Sequence, residues 1–324
     1  MDNLTHSLVG ALIGQAGLKK KTGLAMPALI IGANLPDVDA ACFFWLEGVE
    51  HLGFRRGITH GPPALVLLPL LLAGLLYGFD RWQGKRGKRP EGRIRVNFGW
   101  LFTLAFIGCL THPALDWLNV YGIRLLEPFS SRWFYGDTLF IIDVWLWLTC
   151  IVCLLASLWE ERRGDSFKGI ARAGLAISLA YIAANALVTR NLETKFAGLS
   201  EHVIASPVPF IPWEREMIVY DAGRGAPNRA SIFRWSLLSG PTSAIENVGF
   251  EAQDAGCQAA LDSPADKEAE AFLFWSRVPV IEPGDDGRSV LLRDARFYDP
   301  RARDRFTVAL SNVACEPLPI SSEL

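Results

Sequence analysis

Residues 139–158 have the sequence LFIIDVWLWLTCIVCLLASL, twenty residues in which Asp143 is the only charge. A helix of about 20 predominantly apolar residues is long enough to cross the hydrocarbon core of a bilayer. Four more apolar stretches resemble it, at 24–46, 62–79, 98–118 and 170–188. A shorter apolar segment occupies residues 4–18. The sequence therefore predicts an α-helical integral membrane domain of about five spans plus a short N-terminal segment.

The charge of the chain divides between two regions. All 324 residues together carry a net charge of −2, and 50% of them are hydrophobic, which excludes disordered, collagen-like and disulfide-dense chains. Residues 1–190 hold 19 Lys and Arg against 14 Asp and Glu, whereas residues 191–324 hold 13 against 20. We therefore expect a membrane-embedded domain at 1–190 that carries a metal site, followed by a soluble domain at 191–324.

The acidic region has the pattern of a soluble β-rich α+β domain. Short β-type runs, separated by Gly, Pro, Asn and Asp clusters, lie at 217–220, 232–238, 271–275, 289–294 and 306–310. A short helix is expected at 262–271. Outside the cytoplasm, Cys257 and Cys315 have the opportunity to form a disulfide, and the sequence leaves that pairing open.

Cationic loops predict the orientation. Three loops, at 19–21, 80–97 and 159–172, hold 14 Lys and Arg, whereas the opposite loops hold four. Cytoplasmic loops are enriched in these residues. This predicts a multi-pass protein of the bacterial inner (cytoplasmic) membrane with a periplasmic, or extracytoplasmic, C-terminal domain. The basic loop at 80–97 is expected to touch anionic membrane lipid, and no nucleic-acid partner is expected; a protein partner of the tail is unknown.

Seven ionisable residues interrupt or flank the apolar segments: His6, Asp37, Asp39, His60, His112, Asp116 and Asp143. Such groups are costly in a membrane and usually functional. His112 and Asp116 share a helix face at a spacing of four. Pro36 is expected to break a helix next to Asp37 and Asp39. With the predicted orientation, all seven lie toward the outer leaflet, which indicates a single metal site.

We assign expected roles by residue type. The predicted metal ligands are His6, Asp37, Asp39, His112 and Asp116. They would hold one or two divalent ions, with zinc favoured by the mixture of His and Asp and with manganese or iron as alternatives. The expected catalytic residues are His60, Asp143 and Arg56. His60 or Asp143 would donate a proton or complete the metal shell, and Arg56 would hold a phosphate.

Several motifs resemble those of the YdjM-type family. They are Thr-His-Ser-Leu-Val-Gly at 5–10, Asn-Leu-Pro-Asp-Val-Asp at 34–39, Arg-Gly-Ile-Thr-His at 56–60, Thr-His-Pro-Ala-Leu-Asp-Trp-Leu-Asn-Val-Tyr-Gly at 111–122, Pro-Phe-Ser-Ser-Arg-Trp-Phe at 128–134 and Ile-Ile-Asp at 141–143. The resemblance covers about residues 1–190. It implies an inner-membrane protein of a family described as metal-dependent hydrolases, some linked to binding of the LexA repressor. Gly61 departs from the pattern, because the family often has Ser after Thr-His.

The sequence supports one main functional hypothesis and two alternatives. The main one is a membrane-bound metal-dependent hydrolase whose site lies at the outer leaflet and acts on a lipid or lipid-linked phosphoester. The first alternative is a non-catalytic membrane scaffold or interaction protein with a structural metal. The second is an ion or solute transporter, which would distribute ionisable groups across the membrane depth.

Overall fold

A computed structural model describes residues 1–200, 202–220, 229–249, 266–284, 289–299 and 303–311. Cys257 and Cys315 lie outside these ranges, as do the first residues of the helix expected at 262–271.

The first part of the chain is helical. Its α-helices are α1 (Asn3–Gln15), α2 (Ala25–Asn34), α3 (His51–Phe54), α4 (Ala64–Lys85), α5 (Phe98–Trp117), α6 (Val144–Arg163) and α7 (Lys168–Phe196). Three 3₁₀ segments join them, at Leu18–Lys20, Leu35–Phe44 and Ile58–His60. The Leu35–Phe44 segment is unusual, because 3₁₀ runs longer than three or four residues are uncommon.

Five helical stretches are long and apolar enough to cross a membrane: Ala25–Phe44, Ala64–Lys85, Phe98–Trp117, Val144–Arg163 and Lys168–Phe196. The first combines α2 with the 3₁₀ segment that follows it. Each overlaps one of the five predicted apolar stretches, so the prediction of about five spans is confirmed. The shorter predicted segment at the N-terminus corresponds to α1, which has 13 residues.

The chain divides into two compact units. Unit 1 consists of Met1–Asp39 and Arg56–Leu187, and unit 2 consists of Ala40–Arg55 and Val188–Leu324. Residues 40–55 thus belong to unit 2, whereas the sequence analysis placed them in the membrane domain at 1–190. The reason is close packing of α3 within unit 2: a β-carbon on Gly53 would lie 3.2 Å from the Cβ of Ala271.

Glycines allow the helices of unit 1 to pack closely. A β-carbon on Gly10 of α1 would come within 2.9 Å of the Leu29 carbonyl oxygen of α2. One on Gly32 of α2 would come within 2.6 Å of the Ala105 carbonyl oxygen of α5. Small residues permit such backbone contact between membrane helices. As a result, the polar ends of α1, α2 and α5 lie next to one another.

Unit 2 contains antiparallel sheets. Its strands are β1 (His202–Val208), β2 (Ile211–Tyr220), β3 (Arg229–Ser236), β4 (Gly240–Pro241), β5 (Glu246–Gly249), β6 (Pro279–Pro283), β7 (Ser289–Asp294) and β8 (Thr307–Ser311). One sheet has the order β1-β2-β3-β4, with β5 also paired to β3, and the other has the order β6-β7-β8. The expected β-rich second domain is confirmed.

One predicted strand is wrong. Residues 271–275 form the second half of a helix, α8 (Lys267–Trp275), instead of a strand. The Asp266 side chain caps this helix by accepting from the Glu268 N–H at 3.0 Å. Ala269, Phe272 and Trp275 are buried at a spacing of three residues, which is a helical face. Burial of that face overrides the β propensity of the aromatic residues.

Candidate metal centre

Helix α5 supplies two buried groups at the heart of the site. His112 and Asp116 are 0% and 1% exposed, and the His112 Nε2 lies 3.6 Å from the Asp116 Oδ2. The His112 Nδ1 lies 2.7 Å from the Ala33 carbonyl oxygen. Because a carbonyl oxygen only accepts, Nδ1 carries the proton and Nε2 presents its lone pair to the site.

Helix α1 brings His6 onto His112. The two rings stack with their centroids 3.8 Å apart. The His6 Nε2 lies 3.4 Å from the Asp116 Oδ1. Among the described residues, neither ring nitrogen of His6 has a hydrogen-bond partner, nor has the Nε2 of His112. Buried polar atoms without a partner are rare, and an unseen ion is one explanation of them.

Two 3₁₀ segments complete the cluster. Asp37, in the segment after α2, places its Oδ1 3.8 Å from the His112 Nε2. His60, at the end of Ile58–His60, places its Nε2 3.7 Å from the Asp116 Oδ2. The His60 and His112 ring centroids are 5.0 Å apart. Five of the residues expected at a metal site from the sequence therefore meet in unit 1.

The donor atoms form two overlapping groups of three. One group is His6, Asp37 and His112; the other is His60, His112 and Asp116. In each group the donor atoms all lie within 4.8 Å of one another. Ligands at about 2.0–2.1 Å from a zinc ion in tetrahedral geometry are about 3.3 Å apart, close to the shorter spacings seen here. The shorter spacings thus suit a divalent ion. The N-terminal amine of Met1 pairs with the Asp116 Oδ1 and Arg56 pairs with its Oδ2, so an ion on this carboxylate competes with two cationic groups.

Arg56 is bound to the cluster from the side. Its Nε lies 3.0 Å from the Asp116 Oδ2, and its Nη1 donates to the Asn119 Oδ1 at 3.0 Å and to the Gly122 carbonyl at 3.1 Å. Its guanidinium also lies over the Tyr121 ring. The structure therefore places the Arg56 side chain against Asp116 and the chain that follows α5, and the phosphate-binding role expected from the sequence stays a prediction.

Asp39 lies beside the cluster but in neither group of three. Its Oδ2 accepts from the Arg56 backbone N–H at 2.7 Å and from the Thr59 hydroxyl at 3.2 Å. Arg56 itself has a φ of 55°, in the left-handed region that a residue with a β-carbon rarely adopts. Asp39 thus holds the strained turn that leads to His60.

Asp143 is separate from the groups of three. It is the N-cap of α6, where its Oδ1 accepts from the Leu146 N–H at 2.9 Å. Its Oδ2 accepts from the Tyr181 hydroxyl of α7, also at 2.9 Å. The structure gives this carboxylate a role in joining two helices, and no described contact links it to the candidate ligands.

Asn119 and Thr59 were not among the residues predicted from the sequence. Asn119 is fully buried, and its Oδ1 accepts from Arg56 and from the Tyr121 backbone N–H. Thr59 contacts both Asp39 and the ring of His60. A signal was present in each case, because Asn119 follows Asp116 by three residues and Thr59 directly precedes a candidate ligand.

The membrane part of the chain is similar to known proteins. A match to a curated relative, "Uncharacterized protein YfhP" of Bacillus subtilis (strain 168), is 29% identical over 141 residues, which is 41% of this chain and 39% of that protein. The chain thus spans well under half the length of that relative. No solved structure matches. Residues 1–192 match the sequence model of the YdjM inner membrane protein family, and the chain belongs to that family.

Proposed function

We propose that unit 1 is a metal-dependent hydrolase that acts on a lipid or lipid-linked phosphoester at the outer leaflet of the inner membrane. The observation that carries the proposal is the composition of the two groups of three. Each consists of two histidines and one aspartate. Two histidines with one carboxylate and an open position are a ligand set of catalytic zinc sites, and a related set binds non-haem iron.

The two groups share His112, so they are alternatives and not two complete sites. A single Nε2 binds one ion at a time, since the Nδ1 of the same ring is engaged with the Ala33 carbonyl. We therefore propose one divalent ion per chain, with zinc favoured and manganese or iron as alternatives. When bound, such an ion supplies Lewis acidity, which polarises a scissile bond and lowers the pKa of coordinated water toward about 7.

The residues around the donors have defined tasks in this proposal. Ala33 and Arg56 hold His112 and Asp116 in place through the contacts described above. His60 either completes the ligand set or moves a proton, because its Nε2 faces Asp116. The burial of the donors excludes bulk water, which strengthens electrostatic interactions within the site.

Apolar side chains next to the donors support a lipid as the substrate. Val38, between the two aspartates, is 47% exposed, and Ile58, two residues before His60, is 62% exposed. A site with polar groups inside and apolar groups outside suits a substrate that is presented by the membrane. The excess of cations in three loops supports the outer leaflet and, with it, a periplasmic position for the C-terminal domain.

The scaffold alternative is favoured by one observation. With all five donors used, an ion that takes four or five ligands has no open position, which is typical of structural sites. The scaffold predicts metal binding without turnover, and the hydrolase predicts both. The transporter alternative would need ionisable groups along the membrane depth, whereas the described donors form one compact cluster.

Metal analysis of the purified full-length protein in lipid nanodiscs tests the proposal. We expect about one divalent ion per chain, and we expect His112→Ala and Asp37→Ala to lose it. His202→Ala in unit 2 is the matched control and should keep it. Unchanged metal content in both site variants would contradict the site. Metal-dependent release of phosphate or alcohol from vesicle phosphoesters, absent in His112→Ala, separates the hydrolase from the scaffold.

A further inference from the structure

All three histidines of the metal centre follow a threonine: Thr5-His6, Thr59-His60 and Thr111-His112. The hydroxyl of Thr111 donates to the Gly108 carbonyl at 2.7 Å, and that of Thr5 donates to the Asp2 Oδ2 at 2.6 Å. Within the described chain, the Thr59 hydroxyl alone among the three contacts a histidine ring. It lies 3.0 Å from the His60 Nδ1.

The direction of this contact follows from Asp39. The Asp39 Oδ2 already accepts the Arg56 backbone N–H at 2.7 Å, and the Thr59 hydroxyl donates to the same oxygen at 3.2 Å. A threonine has one hydroxyl proton, so its oxygen is left as an acceptor toward the His60 Nδ1. The Nδ1 must then carry a proton. Direct donation from Nδ1 to the Asp39 Oδ2 is too long at 3.6 Å to replace the hydroxyl.

We propose that Asp39, acting through the Thr59 hydroxyl, holds His60 in the tautomer with a protonated Nδ1, so that the lone pair of its Nε2 faces the metal centre. Thr59 is then a positioning residue of this centre. The inference rests on the proposed function, because it presupposes that the cluster binds metal. It gives Asp39 a role other than that of ligand. It also pairs His60 with His112, whose Nδ1 is fixed in the same protonated form by the Ala33 carbonyl.

Groups that fix the ring orientation and tautomer of a ligating histidine are energetically important. Loss of such a partner typically lowers metal affinity 10- to 100-fold. Thr59 fits this role because the Nε2 of the His60 ring that it orients lies 3.7 Å from the Asp116 Oδ2. The strained backbone at Arg56, held by the same Asp39 oxygen, fixes the turn on which Thr59 and His60 stand.

The experiment measures zinc affinity of the full-length protein in nanodiscs by competition with a chromogenic chelator. Thr59→Val keeps the shape of the side chain and removes the hydroxyl, and we expect it to weaken zinc binding about 10- to 100-fold. Thr111→Val is the matched control, since it removes a hydroxyl directly before another histidine of the centre without touching a ring. It should bind zinc as the unmodified protein does.

A second comparison covers the case in which Thr59→Val fails to fold. Thr59→Ser and Thr59→Ala both lack the methyl group and differ only in the hydroxyl, so the serine should retain affinity and the alanine should lose it. Equal affinity of Thr59→Val and Thr111→Val, or of Thr59→Ser and Thr59→Ala, would overturn the inference. If the unmodified protein bound none of zinc, manganese and iron, that result would instead overturn the proposed function.

Discussion

Among single residues, Asp116 takes part in most of the contacts within the metal centre. His6, His60 and His112 each place a ring nitrogen 3.4–3.7 Å from its oxygens. Two cationic groups pair with this carboxylate: Arg56, whose guanidinium is rigid and always protonated, and the N-terminal amine of Met1. A buried charge needs such partners, and this pairing explains how a carboxylate persists in an apolar helix bundle.

A residue in unit 2 provides a pH prediction that is independent of the metal. Burial raises the pKa of Glu216 to about 7, against the lowering effect of Arg234. Between pH about 4.5 and 7 the folded protein keeps a proton that the unfolded chain has lost, so the stability of unit 2 should fall as the pH rises through this window. The loss is at most on the order of 3 kcal/mol.

Thermal unfolding of the full-length protein at several pH values checks this expectation. Glu216→Gln stays uncharged throughout and should flatten the dependence of the unit 2 transition on pH. The exposed Glu47→Gln, also in unit 2, is the control and should leave the slope as it is. A slope that is identical in the Glu216 variant and the unmodified chain would contradict the prediction.

At the scale of elements, the spacing between α2 and α5 governs the metal centre. A methyl group at Gly32 would lie 2.6 Å from the backbone oxygen of Ala105, which a flexible side chain cannot relieve. We expect Gly32→Ala to separate the two helices, to move Asp37 away from His112, and to destabilise unit 1 by about 1–3 kcal/mol. Metal content and thermal unfolding in nanodiscs measure the two effects.

Gly74→Ala on α4 is the control for this substitution. A β-carbon there meets nothing within 4 Å, and alanine favours a helix more than glycine does. The control should therefore retain metal and keep or slightly raise the unfolding temperature. If Gly32→Ala behaves like Gly74→Ala, the close approach of α2 and α5 does not determine the position of Asp37.

The sequence predicts some elements better than others for physical reasons. Uninterrupted apolar length is sufficient to identify the spans, because bilayer thickness sets it. Segment 271–275 was misassigned because aromatic residues favour strands locally, whereas their burial in α8 depends on the rest of unit 2. Asp37 and Asp39 looked equivalent, since spacing alone does not reveal that a 3₁₀ segment directs one toward His112 and the other toward Arg56 and Thr59.

At the scale of the whole molecule, the distribution of cations predicts which part of the chain faces which compartment. Leu238 in unit 2 is 79% exposed. We expect the variant Leu238→Cys to react with a membrane-impermeant thiol reagent that is applied to spheroplasts. Lys88→Cys, in the basic loop, should react only after the cells are lysed. Both substitutions are made in a chain whose six natural cysteines are replaced by serine, so that only the introduced thiol reacts.

The opposite labelling pattern would place unit 2 in the cytoplasm and contradict the positive-inside interpretation.

Much of the basic loop is already engaged with α4: Arg89 and Arg93 contact Asp80, and Arg86 lies over Trp82. Fewer of its cations therefore extend freely into water than the sequence alone suggests. Contact of this loop with anionic lipid stays a prediction, for which the remaining cations would have to suffice.

The hydrogen bond from the Arg56 N–H to Asp39 also affects how long the chain between these two residues can be. The sixteen residues between these two positions leave unit 1 and return to it, and the bond fixes the two ends of that excursion next to each other. With its ends fixed, a loop costs only about 0.6 kcal/mol of additional closure entropy for each doubling of its length. Insertions at 45–55, beyond the end of the span Ala25–Phe44, should therefore leave the histidines and aspartates of unit 1 in place, whatever they do to unit 2.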